Sequence, residues 1–327
     1  MTTRRQTLAL LGLTAAIYPH VIRAQATKIP HVGYLSTGSL KSNRAFLDAL
    51  RDALRELGYI DGKNIAIDVR WVGDMPSEFP QLAASLVRDN PNAIVTTCIP
   101  STRAAKQATS TLPVVMSVDG DPVAAGLVSS LSRPGGNVTG TSTLFEELIQ
   151  KWLELLHAAV PKARDIAILS NPDNVIDPYY WARFQEAAQR IGVNVLRAEA
   201  RVPTELDQTF KAMKDQLAGG LVVMTEAFLA GQVQLIVPLA ERYKVPAIYG
   251  YREFVDAGGL MSYGLSFREY YKRVARYVDA VLKGVKPADL PVEQPSRIEL
   301  VINRAAARKL GVSVPPELLV RADHVIE

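Results

Sequence analysis

"SRPGGNVTGTS", residues 132–142, lies near the middle of the chain, and how it is read decides the architecture. It combines three glycines and a proline with small hydroxyl side chains, and a helical pattern follows it. Glycine-rich turns ahead of helices hold phosphates in two known patterns. A dinucleotide fingerprint places G-x-G-x-x-G between the first strand and its helix, with an acidic residue about twenty positions on. Here Gly135, Gly136 and Gly140 come only after four strand-like segments. A phosphate loop needs Lys followed by Ser or Thr after its glycines, and no such pair follows these. The stretch is instead expected to be a turn and a short extended passage leaving one body for another.

Both flanks support two bodies. Upstream, "HVGYLS" (31–36) reads as a short buried strand. "NRAFLDALRDALRELGY" (43–59) follows as a helix, with Phe46, Leu50, Leu54 and Leu57 on one face and Gly58 closing it. Strand-like "NIAIDVRWV", "NAIVTTCI" and "LPVVMSV" alternate with helical "EFPQLAASLVRD" and "STRAAKQAT". Downstream the alternation restarts with the helix "LFEELIQKWLELLHAAV" and the strand "RDIAILS". The helices "DPYYWARFQEAAQRIG", "TELDQTFKAMKDQLAGG" and "GQVQLIVPLAERYK" then alternate with the strands "VNVLRAE", "LVVMTE" and "VPAIYG". Strands separated by helices of this length form parallel βαβ units with right-handed crossovers. The fold class is therefore α/β, with two Rossmann-like, doubly wound lobes. The chain closes with a weakly alternating "GGLMSYG", a long helix "SFREYYKRVARYVDAVLKG", a proline-rich "KPADLPVEQP" and a strand–helix "IELVINRAAARKLG".

With 327 residues, 48% of them apolar and 21% charged, the chain has the size and balance of a two-domain globular protein. The first 26 residues differ in kind. A basic "MTTRRQ", the apolar run "TLALLGLTAAIY" and the small-residue "AQA" ending at Ala26 form the three-part layout of an export signal. Paired Arg4 and Arg5, with Leu8, fit the twin-arginine route, although Thr7 occupies its usual aromatic position and the general route stays open. The segment carries Arg4, Arg5 and Arg23 and no acid, so its removal leaves 34 basic against 33 acidic residues, a net of +1. A nearly neutral body is not a nucleic-acid binder. The expected location is the periplasm. Cys98, the single cysteine, cannot form an internal disulfide and reads as a small buried hydrophobe in a strand.

The segments "LSRPGGNVTGTS", "KWLELLHAAVPKARDIAIL", "REFVDAGGLMSYG", "YVDAVLKGVKPADLPVEQPSRIELVINRAAARKLGVSVPP" and "RADHVIE" resemble the solute-binding proteins of one ABC-transporter family, over essentially all of the chain after the signal. The resemblance implies the type I periplasmic-binding-protein fold, with two lobes joined by three crossing segments and a ligand cleft between them. The matching crossings are Val138–Thr143, Leu260–Gly264 and Val292–Ser296. They divide the chain into a first lobe of 27–140 plus 262–292 and a second of 141–261 plus 293–327. Gly140, Gly259 and Gly264 suit the hinges. The implied partners are a small-molecule ligand, among them amino acids and aromatic carboxylates, and an ABC permease in the inner membrane. A monomer without a cofactor is expected.

In open α/β sheets the ligand lies beyond the carboxyl ends of the strands, near helix N-termini suited to a carboxylate. The first lobe then offers Ser36 and Thr37, Thr97, Ser101 and Thr102, and Asp119 with Asp121. The second offers Asn171, Asp173, Tyr179, Glu226 and Tyr249. Several have a plainer role. Ser101, Thr102 and Asp173 fit helix caps, and Asp119 or Asp121 either caps a helix starting at Pro122 or pairs with a ligand ammonium. Tyr179 and Tyr249 suit walls against a planar ligand, and Trp181 suits the core. No zinc-protease, nucleophile-elbow or clustered Cys/His pattern is present, so no catalytic residue is assigned. Two other classes stay open, an extracytoplasmic sensor reporting to a signalling partner and a secreted α/β enzyme. A transcription factor of the same fold would need a DNA-binding headpiece.

Overall fold

The computed structural model describes residues 29–327 apart from 38–39, 73–75, 144, 175–176 and 295–297. The expected export signal lies outside the described residues. Among the described residues, twelve strands form two separate sheets. The first is wholly parallel, in the order β2-β1-β3-β4-β5. It contains β1 (His31–Ser36), β2 (Ala66–Trp71), β3 (Ala93–Thr96), β4 (Val114–Asp119) and β5 (Val138–Thr143). Its connecting helices are α1 (Leu40–Glu56), α2 (Phe79–Arg88) and α3 (Ile99–Ala108). Strands covered on both faces need continuous apolar runs rather than alternation. "AIVT" of β3 supplies one, with all four residues buried.

The second sheet has the order β12-β11-β10-β9-β8-β6-β7. The chain enters it through α4 (Ile149–Ala159) and continues as β6 (Asp165–Ser170), α5 (Asp177–Ile191), β7 (Asn194–Glu199) and α6 (Leu206–Asp215). Then come β8 (Gly220–Val223), α7 (Ala227–Ala230), α8 (Val233–Tyr243), β9 (Ala247–Tyr251), α9 (Glu253–Asp256) and β10 (Met261–Leu265). Helix α10 (Phe267–Leu282) leaves this sheet, and β11 (Glu299–Asn303) returns to it. The chain ends with α11 (Arg304–Leu310), α12 (Pro316–Arg321) and β12 (His324–Ile326). β11 runs antiparallel to β10, and β12 pairs parallel with β11.

α10 is where the molecule doubles back. Ser266 caps its N-terminus by accepting from the Glu269 N–H at 3.2 Å. Phe267, Tyr271, Val274, Val278 and Val281 form one buried stripe. That stripe lies on α1 and on β3, β4 and β5 of the first sheet.

Sheet membership refines the expected crossings. Residues 138–143 are a six-residue buried strand of the first sheet, paired with β4 along their whole length, rather than a loose passage. Residues 260–264 fall in or beside β10 of the second sheet, so the chain turns away only at Ser266. The third passage covers the far side of β5. Glu293 N–H donates to Gly140 O at 3.0 Å, and Ser142 N–H donates to Glu293 O at 3.0 Å. An open sheet edge is thereby closed by a single added residue. Gly140 and Gly264 are both closely packed against neighbouring strand backbone. A Cβ on Gly140 (φ +128°) would lie 2.2 Å from Met116 O, and one on Gly264 would lie 1.8 Å from Gly250 O. At Gly259 a Cβ would meet the Tyr249 ring at 2.5 Å. The left-handed backbone there belongs to its neighbour Gly258 (φ +104°).

Candidate functional site

Two helices bring the sheets' carboxyl ends together. α1 starts just after β1, α7 starts just after β8, and the two helices pack on each other across the lobes. Phe46 of α1 adds an aromatic bridge, its ring perpendicular to Tyr251 at 6.2 Å and tilted against Phe267 at 6.1 Å. Loops at the two carboxyl rims therefore face one another.

On the first rim, Ser36 ends β1, and its hydroxyl oxygen accepts from Thr97 at 2.8 Å. Thr37 follows directly, half-buried. Asp119 is the last residue of β4, which carries its backbone to the rim. Ser101 and Thr102 serve the start of α3 instead. Both hydroxyls donate to Cys98 O at 2.9 Å, and Thr102 also shares a 2.7 Å hydroxyl contact with Thr96. Cys98 is not the strand residue its apolar surroundings suggest. β3 stops at Thr96, and Cys98 caps α3 in a reciprocal box with Ser101. Burial pushes its thiol up, away from nucleophilic character. Asp121 is exposed, and its Oδ1 accepts from the N–H groups of Val123 at 2.8 Å and Ala124 at 3.1 Å. It caps the 122–126 turn, which stands where a helix was expected.

On the second rim, Glu226 is the centre. It is 8% exposed, just beyond β8. Its Oε1 accepts from Asn171 N–H at 2.7 Å and its Oε2 from Asn174 Nδ2 at 2.8 Å, tying together the rims of neighbouring strands β6 and β8. Burial raises its pKa to about 8 against the lowering effect of those two donors, and Asp177 raises it further. Asp177 is itself buried and accepts from Arg197 Nη1 at 2.9 Å. Asp173 is exposed and pairs with Arg201 at 3.3 Å. Tyr179 is 43% exposed in the first turn of α5, with the Arg183 guanidinium 5.2 Å from its ring. Trp181 packs against the core beneath Arg197, 4.4 Å from its ring.

Tyr249 departs most from expectation. It is 1% exposed inside β9, and its ring stacks on Phe254 at 4.5 Å, which makes it core rather than cleft wall. "VPAIYG" stops the reading one residue early. The strand runs on to Tyr251, and Tyr251 is the ring that meets Phe46 and Phe267. Asn174 was also missed. Its signal was present in the sequence, since "NPDN" is an Asx-rich turn directly after a strand.

Residues 35–326 match the family model described as ABC transporter substrate binding protein. The chain belongs to this family. It is 30% identical over 273 residues to a tyrosine-binding protein of Clostridioides difficile, covering 83% of this chain and 77% of that one. Among solved structures, it matches a conserved domain protein from Vibrio cholerae with a TM-score of 0.69 at 27% identity, over 91% of this chain and 100% of the other. An ABC domain from Streptococcus pneumonia in complex with L-Trp matches with a TM-score of 0.68 at 28% identity, over 91% and 99%. The ligand-free, open structure of a substrate-binding protein with adhesive properties from Clostridium difficile gives 0.54 at 26% identity, over 91% and 99%. As a member of the family the chain is a ligand-capturing partner of an ABC transporter, with the type I periplasmic-binding fold. Among the described residues, no helix is long and apolar enough to cross a membrane.

Proposed function

We propose that this substrate-binding protein is exported, captures an α-amino acid with an aromatic side chain between its lobes, and hands it to an ABC permease in the inner membrane. The observation that carries the reading is the match, along most of the chain, to two proteins whose partners are tyrosine and L-Trp. The rims suit such a guest. Hydroxyls of Ser36, Thr37 and Thr97 and the backbone at Asp119 line one side, and Asn171, Asn174 and Glu226 line the other. Tyr251 of β9 and Phe46 of α1 meet edge to face at 6.2 Å, aromatic surface of the kind such a guest would favour. Closure excludes water and strengthens polar contacts, so micromolar affinity, about −8 kcal/mol, needs no chemistry on the ligand. The protein acts as a monomeric receptor without catalytic turnover, in the periplasm.

A thermal-shift screen of the chain from Thr27 onward tests this. L-tyrosine and L-tryptophan should raise the melting temperature, and at a hundredfold excess over Kd the stabilisation is about 2.7 kcal/mol. Sugars and dicarboxylates should leave it unchanged. A shift with sugars alone, or with no amino acid, refutes the reading.

A further inference from the structure

A chain of hydrogen bonds crosses the second rim and ends on an arginine of the sheet's edge strand. Glu226, beyond β8, accepts from the side-chain amide of Asn174 at 2.8 Å, and Asn174 O accepts from Asp177 N–H at 2.8 Å. Asp177 opens α5 and is buried, and its carboxylate accepts from Arg197 Nη1 at 2.9 Å. Arg197 lies within β7, at the edge of the sheet, opposite Ile168 of β6. The same guanidinium grips α5 a second time. Trp181 stands one turn beyond Asp177 on the same helix face, and Arg197 Cζ lies 4.4 Å from the centre of its ring. Nη1 also donates to Glu199, at the end of β7, at 3.0 Å. One planar group therefore fastens two turns of α5 to β7, and a lysine would supply the charge without the flat contact. The other basic groups at this rim are committed, Arg201 to Asp173 and Arg183 to Glu186. A buried carboxylate requires a cation, so the position of Arg197 decides where α5 begins.

On the reading that the second rim holds the ligand, we propose that Arg197 is a positioning residue for the site. It acts on the guest through other residues: by way of Asp177 it fixes Asn174, the Glu226 carboxylate that Asn174 holds, and Tyr179, which is exposed on the same first turn of α5. A rim already ordered before the guest arrives loses less freedom when it binds. Loosening the clasp therefore weakens binding without removing any contact to the ligand. A residue that merely stabilised the lobe would behave differently. Breaking a buried pair from one side leaves an uncompensated charge, whereas replacing both partners by neutral groups is close to harmless for stability. If Arg197 only neutralised Asp177, the double replacement would restore stability and affinity together. If it positions the rim, stability returns and affinity does not.

Titration calorimetry with L-tyrosine and urea denaturation, both on the chain from Thr27 onward, separate these outcomes. Arg197→Met should lower affinity and stability alike. Adding Asp177→Asn to it should bring the urea midpoint back towards that of the unaltered chain. The affinity of this double variant should stay roughly tenfold weaker. Its amide exchange should be faster at Asn171, Asp173 and Asn174, whose N–H groups are all bonded within the rim. Arg197→Lys, which keeps the charge and loses the plane, should also bind tyrosine more weakly at a nearly unchanged midpoint. A double variant that binds tyrosine as tightly as the unaltered chain, or exchanges those amides no faster, overturns the proposal, as does full affinity in Arg197→Lys. If Arg197→Met alone fails to fold, the double and lysine variants still decide. Failure of every amino acid to bind the unaltered chain refutes the functional reading itself, and the proposal falls with it.

Discussion

Gly136 and Gly140 sit four residues apart in the same glycine-rich stretch, yet the structure gives them opposite duties. Around Gly136 an added Cβ would meet nothing within 4 Å, so the residue serves an exposed turn. At Gly140 the backbone is left-handed, and the added carbon would press into the carbonyl and amide of Met116 on β4. The glycine is what lets β5 lie flush in the first sheet while Glu293 pairs on its other side. Gly136→Ala should therefore change stability by no more than about 0.5 kcal/mol. Gly140→Ala should cost about 3 kcal/mol or more, because backbone atoms rather than a flexible side chain must move. Urea denaturation of the two variants checks the contrast, and equal losses would show that β5 yields locally. Residue roles at the rims were only partly legible. Hydroxyl and carboxylate types picked out loops at the carboxyl ends of the strands, but a sequence does not show whether a Ser or Asp is consumed by its own backbone. Ser101, Thr102 and Asp121 are consumed that way, while Ser36 and Glu226 stand at the rims.

The element with the most leverage is α10, which begins beside the second sheet and buries its stripe in the first lobe. Its first turn is held by a residue of the second lobe. Glu253 accepts from the Ser266 hydroxyl at 2.5 Å and from the N–H groups of Arg268 at 3.3 Å and Phe267 at 3.4 Å. A carboxylate there satisfies orphan donors and opposes the positive helix end. Glu253→Ala should cost about 1–2 kcal/mol in denaturation experiments. It should also accelerate hydrogen exchange selectively at residues 266–270, and uniform acceleration across α10 would argue against a hinge cap. Periodicity was enough to place α10, because seven buried positions repeat at helical spacing and Ser266 supplies the cap. It fell short at ends set by tertiary contacts. Leu57 continues the apolar pattern of α1, yet the helix stops at Glu56 and Leu57 is 42% exposed. β12 carries only three residues, two of them exposed, so no pattern marks it, and it exists because β11 offers an edge.

For the whole molecule, the proposed function makes the balance between open and closed lobes the decisive quantity. A ligand shifts that balance only by preferring one form. The arrangement described here has α1 seated on α7, and a Cβ built at Gly231 would lie 3.6 Å from that of Ala45 on the opposite lobe. That separation falls inside the range for a disulfide, and Gly231 has ordinary right-handed backbone (φ −74°, ψ −10°), so a side chain is tolerated there. Cys98, the one native cysteine, is occupied in capping α3 and should not compete. Ala45→Cys combined with Gly231→Cys should therefore oxidise to a bond that forms only when the lobes are together. Saturating ligand should speed that oxidation, because it raises the closed population. Once locked without ligand, the protein should take none up. Locked with ligand inside, it should release none until a reductant is added. If the bond forms at the same rate with and without ligand, and the oxidised protein still exchanges its guest freely, then α1 and α7 stay in contact throughout the cycle, and access to the cleft must be controlled elsewhere.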